Sequence, residues 1–560
     1  MTTFSLSCRP VRRCAMVLLL GFLGRGWSLA QAPAAGNASP AAVLPLSPVE
    51  QAEKDGTALR ITLKELTKLA LQNNLDIAIS DTNEELYKKR ILQAYGPYDP
   101  EFTASLGVQS YKRPNTNATN QSSEGDVNET KGAFWDFQFM QNLSTGGGIR
   151  ASYNSNRSDT NQKFALFSPQ YATALSLEFS QPLFRNRVID QTRGTIHLAN
   201  LDARLNDSQF RQTVSGTVAS IQALYWDLVG AIRGFEIQRD SVRLAQISFE
   251  NNTKSVEIGA LPKISITEAR AEMANREVDM IAARAAILVA ENNLRAVISP
   301  DRNAEIWQKV IVPTDLPEFA EYPVDRTQSI ETALRNRPEL EQYNLQLEQN
   351  SISRQMDQNL KKWQVDLVAS LGTVGVSGPQ SLDPDTNLPL INPDLVGGIG
   401  KANQALFTGG FVNWFAGFEV RIPLRNRGLD AQLAQLQIQR QQLDMSRTNM
   451  EQKIAVQVRN AIEDLETNKQ RVQTARVALQ LAQEQLEGET LRFQAGMSQN
   501  FLVLQRQQFF ANAKGVELRA LIAYRKSILN LQNAMCTVLE SNDFEVIKSV
   551  PRDSGKARFR

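Results

Sequence analysis

The sequence predicts an α+β membrane protein in which groups of membrane-type β-strands run into coiled-coil helices of unusual length, arranged as two internal repeats. Three observations carry this. Short motifs recur: Ala104-Ser105-Leu106-Gly107 as Ala369-Ser370-Leu371-Gly372, and Pro182-Leu183-Phe184-Arg185-Asn186-Arg187, one residue shorter, as Pro423-Leu424-Arg425-Asn426-Arg427. After each Arg-Asn-Arg a heptad of apolar residues runs to a glycine. The first reads Val214, Ile221, Leu228, Phe235, Val242, Phe249, Val256 and Gly259; the second reads Val458, Leu465, Val472, Leu479, Leu486, Phe493 and Gly496. From Ile221 and Val458 onward every pair is separated by the same 237 positions. Two heptads kept in one phase require two equivalent helices. Finally, the N-terminus reads as a secretory signal and no later segment is apolar enough for a membrane helix, so entry into a membrane falls to β-strands.

The signal occupies residues 1–30. Arg9, Arg12 and Arg13 form a basic start, Cys14 to Leu23 an apolar core, and Ser28-Leu29-Ala30 a small-residue cleavage site. Arg25 interrupts the run before the roughly 20 apolar residues that an anchor needs. Residues 31–58, rich in Ala and Pro at the start, are expected to be a flexible lead-in. Over the rest of the 560 residues, long duplicated elements argue for one extended architecture instead of several globular domains. The first repeat spans 59–327 and the second 328–542, each with a short helix, strands and a long helical hairpin. Residues 543–560 are expected to be a basic disordered tail.

Composition excludes several function classes. The formal net charge of +2 loses four arginines and no acids with the signal, becoming −2, and this near-balance points to no nucleic acid. Cys8 and Cys14 leave with the signal, so Cys536 stands alone and no internal disulfide is possible. The single histidine, His197, rules out most zinc sites and His-based catalysis. We therefore expect no enzyme, no cofactor and no metal, with His197 a surface residue and Cys536 a small packed one.

Thr62 to Tyr95 reads as helix, with Leu66, Ala70, Leu71, Ile77, Leu86 and Ile91 on an apolar side, a break near Asn73-Asn74, and Gly96-Pro97 as its end. Strands follow. Phe102, Ala104, Leu106 and Val108 alternate with Thr103, Ser105, Gly107 and Gln109. Trp135, Phe137 and Phe139 alternate with polar residues, and Ser144 to Gly148 turns the chain back along Ile149 to Tyr153. Leu175, Leu177 and Phe179 form a further strand, and the second copy supplies Val365 to Leu371 and Phe418 to Leu424. Polar stretches near 113–131, 156–170 and 377–410 suit exposed loops. The hairpin at 134–154 has no counterpart in the second copy. It can add two strands per chain to the wall, or fold over or inside a wall built without it; because only two strands per half are repeated, four wall strands per chain are expected.

Helix lengths supply an arithmetic test. Arg187 to Ile258 and Arg427 to Ala495 each give a helix of roughly 105 Å at 1.5 Å per residue. The returning helices, 264–298 and 498–540, are roughly 60 Å, and the shorter ones, 62–95 and 328–360, roughly 50 Å. A short helix stacked end to end on a returning one matches a long helix, giving four columns. Residues 299–327, with four prolines, are a linker packing at the waist. The narrow seams leave a broad polar surface, as in a solvated rod or a wall with water on both sides.

In the order and spacing of these elements the chain resembles the TolC-like outer-membrane efflux protein family over nearly all of residues 60–542. The elements that carry the resemblance are Ala70-Leu71-Gln72-Asn73-Asn74, echoed by Ala333 to Leu340, the strand ends Gln181-Pro182-Leu183 and Ile422-Pro423-Leu424, and the tip Leu491-Arg492-Phe493-Gln494-Ala495-Gly496. The resemblance implies a homotrimer with a twelve-stranded transmembrane β-barrel in outer-membrane lipid, continued by a twelve-helix periplasmic tunnel. It also implies a periplasmic membrane-fusion adaptor and an inner-membrane pump as partners, and passive conduction without chemistry in efflux or type I secretion. A chain with so few strands cannot close an aqueous pore alone, which agrees.

Within that frame Gly259 and Gly496 end the long helices, and with Arg492 and Phe493 mark the tunnel tip and adaptor contact. The family often places acids just past the second tip as an ion-selective ring. Here those positions are Leu502 and Gln505, with Ser265 and Glu268 as first-repeat counterparts, which makes Glu268 the candidate charged gate. Lys263, Arg270 and Arg492 are its candidate ion-pair partners. The competing reading is a secreted periplasmic coiled-coil structural or adaptor protein without a pore.

Overall fold

The computed structural model describes residues 46–542, apart from 116–121, 123, 124, 126, 164, 381 and 383–387. The signal segment, the first part of the lead-in and the basic tail lie outside the described residues. The part of the lead-in that is described is ordered: α1 (Pro48–Asp55) is closed by a reciprocal capping box between Ser47 and Glu50 and ended by Gly56 in the left-handed region. Composition predicts flexibility over 31–58, and the Ser-Pro-Val-Glu start of a capped helix overrides that at 47–55.

The helices stand as four columns. α4 (Gln191–Glu257) and α9 (Arg427–Gln494) are 67 and 68 residues long, each roughly 100 Å. α5 (Ile264–Ile298) and α10 (Asn500–Ala534) return for 35 residues each. The third and fourth columns are completed by α2 (Leu63–Asn73) with α3 (Leu75–Tyr95), and by α6 (Arg326–Asn336) with α7 (Pro338–Leu360). The break at Asn74 is a shared cap: its backbone N–H closes α2 and its side chain accepts from Ile77 N to open α3. The Asn74 amide also donates to Val297 O at 2.9 Å, which stacks the short column on the end of α5.

α4 packs against α5, α10, α3 and α7, whereas α9 packs against α10, α7 and α6. The order across the wall is therefore α9, then α7 or α10, then α4, then α3 or α5. α4 is interior and α9 is an edge. Both heptads are buried in their upper halves, from Val214 to Val242 and from Val458 to Val472, and loosen toward the tips. On α4 many other positions are also buried, including Tyr225, Trp226 and Val229. On α9 little beyond the seam is covered. Leu86, expected on the apolar inner side of its helix, faces outward with Leu75, Ile79 and Leu92.

The linker belts the waist. β1 (Ala58–Ile61) pairs in parallel with β6 (Val310–Pro313). Asp315 accepts from Leu63 N at 2.7 Å and from the Tyr225 hydroxyl at 2.6 Å, tying the belt to α2 and α4. Burial, then that hydrogen bond, raises the Tyr225 pKa well above the usual phenol range. Further on, Tyr524 of α10 donates to Ala320 O at 2.9 Å and packs on Phe319, with ring centroids 5.1 Å apart. Arg476 of α9 lies over the Phe319 ring, and Lys469 pairs with Glu321 at 2.6 Å. One segment thus touches all four columns.

The strands form one antiparallel sheet of six, in the order β2 (Glu101–Pro114), β3 (Val127–Asn142), β4 (Gly148–Thr160), β5 (Gln170–Pro182), β7 (Gln364–Ser377) and β8 (Val412–Arg421). The sheet thus holds six paired strands where four are expected. The hairpin is inserted between β2 and β5, where β3 pairs with β2 over fourteen residues. It lacks a repeat partner but carries the same period-2 pattern, and pairing follows pattern, not ancestry. The region near 377–410, expected as loop, contains α8 (Ile399–Thr408), which lies over the outer ends of β5 and β7.

Candidate functional site

Two regions can serve a transport function: the helical tips and the sheet. At the first tip, Gly259 adopts φ +75° and Ala260 N donates to Ser255 O at 2.8 Å. At the second, Gly496 adopts φ +74° and Met497 N donates to Arg492 O at 2.9 Å. Both are the same six-to-one closure of a helix C-terminus through a left-handed glycine. The two backbones remain equivalent to the last residue of the repeat.

Their side chains do not. Arg492 pairs with Glu489 at 3.6 Å, and Ser498 donates a hydrogen bond to the same Glu489 carboxylate, so the turn is bolted to its own helix. The position 237 residues before Glu489 is Asn252, which is buried. Glu489 is absent from the residues that sequence reasoning singles out; its spacing three residues before Arg492 is the signal that could have found it. Phe493 is half-buried. Ile258, Ile264, Leu491, Met497 and Phe501 leave apolar side chains exposed around the two tips.

Past the tips, Glu268, Lys263 and Arg270 are all exposed, and among the described residues they form no ion pair within the protomer. Leu502 and Gln505 are exposed as well. Ser265 is buried at 6% exposure, so it faces the helix packing and leaves the candidate gate set. Near the same level α4 and α10 are joined by Gln507 donating to Ser248 at 3.2 Å. Higher up, Lys526 pairs with Asp227 at 2.9 Å. His197 is exposed, and Cys536 is half-buried, its thiol pKa pushed up by burial, with Sγ 3.9 Å from the Ser215 hydroxyl. Among the described residues no group of His, Cys, Asp or Glu is placed to hold a metal ion.

The sheet sorts its residues by face, row by row. Phe102, Phe139, Ala151, Leu177, Leu371 and Trp414 are paired in one continuous row across all six strands. The adjacent row, on the other face, is Thr103, Gln138, Ser152, Ser176, Gly372 and Asn413. One face is apolar and the other polar, the alternation of a strand with lipid on one side and water on the other. Among the described residues no helix is long and apolar enough to cross a membrane.

A sheet of this kind, running into four helical columns, has the face pattern of a membrane-embedded wall. The comparisons agree. Residues 142–299 match the model of the outer membrane efflux protein family. The fold is similar to that of the Campylobacter jejuni CmeC outer membrane channel, with TM-score 0.60, 16% identity, and 87% of each chain covered. It is similar to the Neisseria gonorrhoeae MtrE outer membrane channel in its open state, with TM-score 0.57, 16% identity, and 85% of this chain and 89% of that one covered. It is also similar to the outer membrane protein VceC of Vibrio cholerae, with TM-score 0.56, 16% identity, and 84% and 95% covered. At this identity these likenesses carry the fold. No curated protein matches the sequence.

Proposed function

We propose that the protein is the exit duct of a tripartite efflux or type I secretion system, conducting substrates passively from an inner-membrane pump and a periplasmic adaptor through the outer membrane. Three copies form the duct, each giving its sheet to one barrel and its four columns to one tunnel. The observation that carries this is the pair of unfilled apolar seams at the two edges of the helical wall. On α5, Val278, Ile281 and Leu288 are exposed at heptad spacing, above them Ile79 and Leu86 continue on α3, and on the far edge α9 exposes Val456, Val477 and Leu491 in one phase, with Glu463, Gln470 and Glu484 at the heptad positions between them. A seam of this length on each edge is complementary to the opposite edge of another copy. Such a head-to-tail contact closes into a ring.

The exposed apolar residues at the tips supply the adaptor contact with Gly259, Gly496, Arg492 and Phe493. Glu268, brought together in three copies, forms an acidic constriction whose mutual repulsion favours cation entry. Lys263 and Arg270 are the cations within reach of such a ring from a neighbouring copy. A pore-free rod makes no use of a sheet with one largely apolar face. The test is detergent extraction followed by reconstitution. A heat-resistant trimer that conducts ions in planar bilayers is expected; a soluble monomer without conductance overturns the proposal.

A further inference from the structure

The hairpin that the second repeat lacks is the least expected part of the molecule, and its surfaces say where it sits. β3 and β4 are 16 and 13 residues long, sufficient for the roughly 9–11 residues that a tilted strand needs to cross the hydrocarbon core. Their apolar residues do not form a separate cluster. Phe139 and Ala151 follow Phe102 in the row that ends at Trp414. One row outward, Ala104, Phe137, Tyr153 and Leu175 continue across the same strands. Phe102 stacks on Phe137 and Phe137 on Tyr153, each at 6.1 Å between ring centroids, so one aromatic strip crosses from a repeated strand into the hairpin.

The opposite face is equally continuous. Asp136 and Asn154 stand between Ser105 and Ala174, and Gln138 and Ser152 between Thr103 and Ser176. Phe134 and Met140 are the exceptions, and the role of Phe134 is local, because its ring covers Gly107, where an added Cβ would come within 2.6 Å of the ring. A hairpin folded over the mouth or into the lumen would carry this apolar face into water and would leave β2 and β5 to pair directly. Here β2 and β5 are separated by the two hairpin strands.

We infer that the hairpin is part of the lipid-facing wall, so that each copy contributes six strands and the barrel is closed by β8 of one copy pairing with β2 of the next. This rests on the proposal that three copies form the duct. β2 and β8 are the two strands with one unpaired edge, and an open edge is not tolerated in hydrocarbon. Three copies then close eighteen strands. Barrel diameter grows roughly in proportion to strand number, so the mouth is roughly half again as wide as with twelve, in the range that leaves an aqueous channel. The chemical consequence is a wide outer exit above a tunnel whose constriction lies at the far end, so substrate bulk is limited by the tip and not by the mouth.

The experiment uses nitroxide labels on single cysteines in a Cys536→Ser background, with the protein reconstituted in lipid vesicles. Label accessibility is measured to oxygen, which concentrates in lipid, and to a water-soluble nickel chelate. Leu177→Cys on β5 reports on a wall strand outside the hairpin. Phe137→Cys and Asp136→Cys report on the two faces of the hairpin. The expected result is oxygen access at 177 and 137 and nickel access at 136. Oxygen access at 177 with nickel access at both 136 and 137 overturns the hairpin assignment and leaves the channel standing. Nickel access at 177 overturns the membrane reading itself. As a second measurement, cysteines placed pairwise on β8 (Ala416 or Phe418) and β2 (Phe102, Ala104 or Leu106) are expected to yield a crosslinked trimer on oxidation. Efficient crosslinking between β2 and β5 in its place overturns the six-strand wall.

Discussion

Glu291 is the residue on which the waist belt turns, and its removal has a calculable effect. It lies on α5 at 2% exposure, with its carboxylate accepting from Arg295 at 2.6 Å and from the backbone N–H of Ile311 at 2.8 Å. Burial raises its pKa, while the Ile311 N–H and the Arg295 charge pull it back. Glu291→Ala leaves the Arg295 guanidinium without its counter-charge and strips Ile311 of its acceptor. Breaking a buried pair by removing one partner costs about 3–5 kcal/mol, and the smaller penalty of the stranded N–H falls within that range. An effect of about 4 kcal/mol is roughly three decades in an opening equilibrium. The assay is hydrogen exchange on the detergent-solubilised protein, read over 305–315. Amides of Val310 to Val312 are expected to exchange about a thousandfold faster in the variant, with the middle of α9 unchanged. The double variant Glu291→Leu with Arg295→Leu should recover most of the protection, because two apolar groups leave no orphaned charge. Unchanged exchange at 310–312 in Glu291→Ala, or a double variant no better than the single one, refutes the reasoning.

Three further outcomes are expected. Gly496→Val forces a β-branched residue into φ +74°; with no atom within 4 Å of the added Cβ the cost is conformational, about 1–2 kcal/mol, and is read as faster exchange over 491–500 with the sheet unaffected. Glu50, hydrogen-bonded first to Arg239 at 2.6 Å and then to Ser47 N, has a depressed pKa. A depressed carboxyl pKa stabilises above the unfolded value and ceases to do so as pH falls through the folded one, so the melting difference between wild type and Glu50→Gln should be present at pH 7 and shrink as pH falls below the ordinary carboxylate range. With a carboxyl side chain 40% exposed, that difference should stay below about 1 kcal/mol. Glu268→Gln is expected to lower cation selectivity in planar bilayers, and unchanged selectivity removes Glu268 from the gate.

The helical half of the molecule was legible because its signals are local and repeated. The break at Asn74, the turns at Gly259 and Gly496, and the returning helix at 264–298 follow from caps and a sustained heptad, and the structure places each where those signals stand. The waist was only half legible. Prolines marked residues 299–327 as a linker, but nothing local says that Val310–Pro313 pairs with Ala58–Ile61 across some 250 positions, since a four-residue strand has too few residues to show its period. The sheet failed in one instructive place. Counting only strands with a partner in the other half overlooks that pairing depends on alternation and edge availability, and Trp135 to Phe139 and Ile149 to Tyr153 already display the alternation. Glu489 was missed because its partners, Arg492 and Ser498, lie on both sides of a turn whose geometry a sequence does not state.

The 237-residue step, so strict along the seams, also shows where the two hairpins must differ in use. Backbone closure at Gly259 and Gly496 is the same, so in a ring of three copies the six tips would stand as near equivalents. Their surfaces are not equivalent. Where one tip has the Glu489, Arg492 and Ser498 bolt, the other has buried Asn252 and an exposed Ile258; where one has Glu268, the other has Gln505. The columns behind them differ too, since α4 is enclosed by neighbours on both sides and α9 has them on one side only. A helical partner approaching from the periplasm would therefore meet two kinds of groove in alternation, one within a copy between α4 and α10 and one between copies against α9. The first is fixed when the chain folds, while the second opens or closes with any rotation of one copy against another. In the proposed ring, gating motions would belong at the second kind, where the seam would be held by association alone and Lys263 and Arg270 have no ion-pair partner among the described residues of their own chain.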